Sequence, residues 1–260
     1  MKQSVRKLSK ALAYSAALIA LTVSAADRDA LRLIVQDQCL VHWSQAHDPA
    51  PCVRVVQSNA LQGYAVLPDR KGGAHFLLIP TQTITGMEDA RLLRPDTANY
   101  FAAAWQARDQ LANVAGHPLR RDAIGLAINS ARARGQDQLH IHIECLQPPL
   151  YHALQTAAAS LGDHWAPWRF EDSPYMALRI RAQDLAAANP IELLANSLPG
   201  ARQSMGDYTI LVAGAQFKDG PGFIVLTGRT PTRAALLNAP AAGLVAPGET
   251  LLDATCAIDP

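Results

Sequence analysis

Gln136-Asp137-Gln138-Leu139-His140-Ile141-His142-Ile143-Glu144 alternates apolar and polar residues from position 139 onward. A β-strand turns successive side chains to opposite faces, so residues two apart share a face. Read as a strand over Leu139–Leu146, this stretch turns His140, His142 and Glu144 to one side. Ile141, Ile143 and Cys145 face the other, which suits a core. The polar residues then stand about 7 Å apart along one surface, from the strand rise. Pro148-Pro149 ends the strand.

The sequence on either side extends this to a sheet. Ile124–Asn129 reads as the preceding strand, followed by the polar loop Ser130-Ala131-Arg132-Ala133-Arg134-Gly135. Upstream, Gly63–Leu67 and Ala74–Ile79 flank Pro68-Asp69-Arg70-Lys71-Gly72-Gly73, which is turn chemistry and predicts a hairpin. Val53–Val56 is a short β-branched strand. Arg28–Asp37 and Leu150–Leu161 read as helices. Pro95–Ala115 is the clearest helix, with Asp96 placed to cap it, Gly116 and Pro118 to stop it, and Phe101, Trp105 and Leu111 on its core side. Strands joined by tight turns around a central helix predict an α+β fold, an antiparallel sheet with packed helices. A later pair, Asp207–Leu211 and Gly222–Leu226, parallels the Gly63–Leu67 and His75–Ile79 pair. It predicts a degenerate second half, with Gly222 standing where His75 stands.

About half of the 260 residues are apolar, enough for a sizeable core, and the formal net charge of +1 argues against a dedicated nucleic-acid binder. Residues 1–26 differ from the rest. Lys2, Arg6, Lys7 and Lys10 precede an uncharged run, Ala11–Val23, and the small residues Ser24, Ala25 and Ala26. That order is the signature of a secretory signal, or of a membrane anchor if it is kept. Residues 27–260 then form the domain, outside the cytoplasm. In an oxidising compartment Cys39 and Cys52, flanking a turn-rich loop, predict a disulfide. Cys145 reads as a buried strand thiol, and Cys256 as free or paired with it.

Two imidazoles and a carboxylate in a row allow three readings. His140, His142 and Glu144 could be a polar surface row, could bind a metal, or could perform metal-free catalysis with one imidazole as nucleophile. Their neighbours favour phosphate chemistry. Asn129, Gln136, Arg132 and Arg134 bring amide and guanidinium donors, which suit phosphoryl oxygens. His75, after two glycines, is a further candidate at the rim of such a site. No serine lies in a nucleophile elbow. Lys71 reads as solvated, His42 and His47 as surface residues, and His164-Trp165-Ala166-Pro167-Trp168 as an aromatic turn packed on the core.

Asn129 followed by Gly135-Gln136 and His140-Ile141-His142-Ile143, together with the upstream His75-Phe76-Leu77-Leu78-Ile79-Pro80, resembles the signature of the histidine-triad superfamily of nucleotide hydrolases and transferases. Within it the chain resembles the CDP-diacylglycerol pyrophosphatase family. The basic-then-apolar start, the early cysteines, Asn129-Ser130 and Met205-Gly206-Asp207-Tyr208-Thr209 add to that likeness. The resemblance implies a histidine-triad-like fold and an α-phosphorus attack by His142, oriented by His140. Asn129 and Gln136 match phosphate- and nucleotide-contacting positions. Glu144 stands where the superfamily has a third histidine, a departure that touches leaving-group handling. The implied reaction cleaves CDP-diacylglycerol to CMP and phosphatidate through a nucleotidyl-histidine, without a cofactor. The implied setting is the periplasmic face of the inner membrane, with the lipid surface as partner. Two alternatives remain open, a periplasmic enzyme for soluble nucleotide pyrophosphates and a metal-binding envelope protein.

Overall fold

A computed structural model describes residues 28–58, 61–230 and 245–258. The basic-apolar segment 1–26 lies outside them. Among the described residues, no helix is long and apolar enough to cross a membrane.

Among the described residues, ten antiparallel strands form one sheet. They are β1 (Arg54–Val56), β2 (Tyr64–Pro68), β3 (Phe76–Pro80), β4 (Ile124–Ile128), β5 (Ile141–Leu146), β6 (Ala166–Phe170), β7 (Ser173–Ile180), β8 (Tyr208–Phe217), β9 (Gly220–Arg229) and β10 (Leu252–Asp253). The order across the sheet is β1-β2-β3-β5-β4-β8-β9-β7-β6, with β10 on the end of β5. The helices are α1 (Ala30–Leu33), continued through a π-helical stretch (Ile34–Cys39) into α2 (Leu40–Ala46), then α3 (Tyr100–Ala107), α4 (Asp109–Ala115), α5 (Pro148–Ala157) and α6 (Pro190–Ser197). The expected α+β architecture is what the chain adopts.

The alternation in β5 does what its sequence predicts. Ile141, Ile143 and Cys145 join Leu126, Phe76, Leu78, Phe101 and Trp105 in the main core. On the opposite face there are two separate apolar clusters. One, with Leu67, Leu77 and Ile79, lies under the α1–α2 helix. The other, with Ala127, Leu146, Leu211 and Leu226, lies under α5 and the C-terminal segment. The polar row of β5 occupies the gap between them.

The long helix divides where the sequence reading ran it as one piece. Asn99, rather than Asp96, caps α3 by accepting from Ala102 N at 3.1 Å, while Asp96 pairs with Arg94. The His164–Trp168 stretch leads into β6 instead of forming a turn.

The two sides of the sheet share one strand arrangement, with equivalences other than those expected. Inside the edge strand β1 on one side, and from the edge on the other, the orders are β2-β3-β5-β4 and β6-β7-β9-β8, each a hairpin, a helical connection and two more strands. The β8–β9 hairpin therefore matches β4–β5 and not β2–β3, so Gly222 is not the counterpart of His75. β9 is the counterpart of β5. On the face that carries His142, β9 presents Gly222, Ile224 and Leu226, and the second half has no histidine row there.

Two disulfides hold the covering segments. Cys39–Cys52 ties the α1–α2 helix to the chain entering β1, as expected. Cys145 is not a thiol. It is bonded to Cys256, across 111 positions of sequence, and so fastens the C-terminal segment to β5.

Candidate active site

Sheet register builds the site. Leu77 of β3 pairs with His142 of β5, and continuing that register sets His75 opposite Glu144. Ala127 pairs with His142 from the other side, and Gly125 with Glu144. These partners are small or apolar, so the imidazoles are walled in. His75, His140, His142 and Glu144 are all buried.

His140 is fixed by its own turn. Its Nδ1 donates to the Gln138 carbonyl at 2.7 Å, which leaves a lone pair on Nε2. Gln138 in turn donates to the carbonyls of Pro80 and Gln82 and so anchors the entry to β5. The His140 ring meets His142 edge-on, 5.0 Å between centroids.

His75 and Glu144 back the central imidazole. His75 Nε2 lies 3.1 Å from His142 Nδ1 and 3.0 Å from Glu144 Oε1, while its Nδ1 faces Asp69 at 3.7 Å. Distance alone would make His75 and Glu144 an ion pair, but burial opposes both charges. It lowers the His75 imidazole to about 4 and pushes the Glu144 carboxyl up to about 8. Burial, with the neighbouring rings of His140 and His75, also holds His142 well below the usual imidazole range. Near pH 7 the neutral forms prevail, so the Glu144 carboxyl stands beside His75 Nε2 without forming an ion pair with it. Tautomers assigned from these partners put a proton on His142 Nδ1, directed at His75 Nε2. His142 Nε2 then keeps its lone pair. It is buried without a hydrogen-bond partner among the described residues.

His142 lines a cavity of about 250 Å³. His140, His142, Asn129, Gln136, Asp69, Arg70, Lys71 and Glu249 form its polar wall, and Ala30, Leu31, Ile34, Leu67 and Leu77 its apolar wall. Glu144 and His75 are behind the imidazoles, not on the wall.

The sequence reading brought together most of this set. His140, His142, Asn129 and Gln136 converge as expected. Arg132 and Arg134 do not join them. Arg132 pairs with Asp207 at 2.8 Å, and Arg134 with Glu88 at 2.6 Å and Asp137 at 3.3 Å, so both guanidinium groups are engaged by acids outside the cavity. The cations at the cavity are instead Arg70 and Lys71, from the β2–β3 turn. Gln136 accepts from Leu31 N at 3.0 Å and thereby fastens the α1–α2 helix over the cavity. Glu249 was missed entirely. It sits in a 3₁₀ turn, Gly248–Leu251, with Oε2 at 3.5 Å from His142 Nε2 and 3.8 Å from Lys71 Nζ. Asn129 Oδ1 accepts from Glu249 N at 3.2 Å. A side chain at Gly248 would meet Thr209 Oγ1 at 2.7 Å, so only glycine lets the turn lie this close. No local motif marks that turn in the sequence.

A metal reading also changes partners. His140 is committed to Gln138, and the ligand atoms that gather within 4.8 Å are those of His75, His142 and Glu144.

A solved structure of a GalT-like protein from Arabidopsis thaliana aligns with 81% of this chain and 88% of its own, at 11% identity and a TM-score of 0.42. A CDP-diacylglycerol pyrophosphatase from Yersinia pestis is 39% identical over 234 residues, 89% of this chain and 85% of that one. The family model for CDP-diacylglycerol pyrophosphatase matches residues 26–260, and the chain belongs to that family.

Proposed function

We propose that the protein hydrolyses the pyrophosphate bond of CDP-diacylglycerol to CMP and phosphatidate, with His142 as a covalent nucleophile of histidine-triad type. Family membership makes it a phosphoric anhydride hydrolase. The observation that carries the mechanism is the buried Nε2 of His142, without a hydrogen-bond partner among the described residues, in a ring that lines the cavity. A neutral imidazole with its proton on Nδ1 is a ready nucleophile, and the same ring leaves easily once phosphorylated.

In the first step Nε2 bonds to the cytidylyl phosphorus and the bond to the phosphatidate oxygen breaks. In the second, water bonds to the same phosphorus and the P–N bond breaks, releasing CMP. His75 accepts from Nδ1 throughout and keeps Nε2 aimed at the cavity. Lys71, Arg70, Asn129 and Gln136 are suited to the pyrophosphate oxygens. The cavity is smaller than usual ligand pockets of about 300–1,000 Å³, so it fits the pyrophosphate and sugar rather than two acyl chains. Those remain at the apolar side, in keeping with an enzyme working at the outer face of a cytoplasmic membrane, in phospholipid metabolism.

Labelled CDP-diacylglycerol, quenched during turnover, tests this. A cytidylyl adduct mapped to His142, lost in His142→Ala, is the expected result. Equal turnover by wild type and His142→Ala would reject it. A soluble CDP ester run in parallel separates a lipid enzyme from one for soluble pyrophosphates. The gathered atoms of His75, His142 and Glu144 favour one second reading, a metal site. Stoichiometric zinc or copper in the purified protein, with no pyrophosphatase activity, would support that reading instead.

A further inference from the structure

We infer that Glu249 is a catalytic residue, the general base that activates water to clear the cytidylyl group from His142. This rests on the histidine-nucleophile reading above.

An in-line displacement at phosphorus brings the attacking oxygen from the side opposite the leaving atom. In the second step the leaving atom is His142 Nε2. The base must therefore face Nε2 across the space that the phosphoryl group fills. Asp69 and Glu144 cannot serve. Glu144 is behind the ring, on the Nδ1 side, at 3.8 Å. Asp69 lines the cavity, but its carboxylate is directed at His75 Nδ1, at 3.7 Å, and not at His142 Nε2. Glu249 is the carboxylate opposite Nε2, at 3.5 Å in the empty site. Its side chain is about one-third exposed, at 32%, so it has room to move outward as the phosphoryl group enters. Its backbone does not need to follow, because Asn129 holds the amide of Glu249 and Cys256 bonds the same segment to β5. Lys71, on the same carboxylate oxygen, offsets its repulsion of the anionic substrate.

The step balances. A water O–H proton passes to the Glu249 carboxylate as the O–P bond forms. The P–N electron pair returns to Nε2, leaving neutral His142 with its Nδ1 proton. Glu249 then releases its proton to solvent with CMP.

Single-turnover measurements on the full-length enzyme with labelled CDP-diacylglycerol test this. In Glu249→Gln the adduct should form and then decay roughly 10²–10⁴-fold more slowly, the range for loss of a general base. Added formate should restore decay in Glu249→Ala and leave wild type unaffected, which a purely structural role would not produce. An adduct that decays at the wild-type rate in Glu249→Gln overturns the inference. So does a folded Glu249→Gln enzyme that forms no adduct while wild type does, or a Glu249→Ala enzyme that formate cannot rescue. Absence of an adduct in wild type as well would instead reject the nucleophile reading beneath it.

Discussion

His75 Nε2 lies 3.1 Å from His142 Nδ1, although 67 positions separate the two in sequence. The contact joins two strands of the hairpin-and-helix unit and sets which nitrogen of His142 is free. It also places a neutral carboxyl, Glu144, between groups that would ordinarily be charged.

Stability should report that arrangement. The Glu144 carboxyl is raised to about 8 in the folded state from an ordinary value of 4.5. Its neutral form is therefore favoured by folding, and the contribution is lost as pH climbs from 4.5 through 8. The His75 imidazole, lowered from 6.5 to about 4, does the reverse and loses its contribution as pH falls through that window. Glu144→Gln should remove the alkaline loss, so its melting temperature at pH 8.5 should exceed that of wild type by several degrees, at roughly 2–4 °C per kcal/mol. Thermal melts from pH 4 to 9 check this. An identical alkaline slope in both proteins would contradict it.

Leu31 and Ile34 should discriminate lipid from soluble substrate. Both lie on the apolar wall of the cavity. Leu31→Asp or Ile34→Asp should raise KM for CDP-diacylglycerol about tenfold or more, since burying an unpaired charge against acyl chains costs more than the roughly 1.4 kcal/mol that factor represents. KM for a soluble CDP ester should change less than twofold. Equal losses on both substrates would place the lipid elsewhere.

Arg132 and Arg134 should matter to the loop and not to the substrate. The Arg132–Asp207 pair is partly exposed, so Arg132→Ala should cost at most about 1 kcal/mol. Arg134, with its side chain 8% exposed and two acidic partners, should cost more. KM for CDP-diacylglycerol should stay within twofold in both. A tenfold rise would return these arginines to the site.

The Cys145–Cys256 bond closes a long loop, and such bonds typically contribute about 2–5 kcal/mol. A Cys145→Ala, Cys256→Ala double variant should melt lower. It should also lose kcat more than KM, because the segment it frees carries Glu249. An unchanged kcat in a folded double variant would uncouple the bond from the site.

What the sequence made legible follows from the range of each interaction. The β5 alternation is local and strict, so the polar row and the core row were both read correctly. Asn129 and Gln136 flank that strand and arrive with it. The arginines misled because a basic loop beside histidines looks the same whether its charges face a ligand or acids elsewhere in the chain. Asp207 is 75 positions from Arg132, and Glu88 is 46 from Arg134. The backing role of His75 needed the β3–β5 register, which no short pattern encodes. The repeat was visible as a likeness between hairpins, but only strand order shows which hairpin matches which.

The fastening of the C-terminal segment to β5 has a consequence for timing. Synthesis proceeds from the N-terminus at about 5–20 residues per second. The 111 positions between Cys145 and Cys256 therefore take roughly 5–20 seconds to be made. During that interval a nascent chain has its histidine strand but neither Glu249 nor the bond that positions it. On the role inferred for Glu249, an enzyme built in this order turns over only once its C-terminal segment has docked against β5.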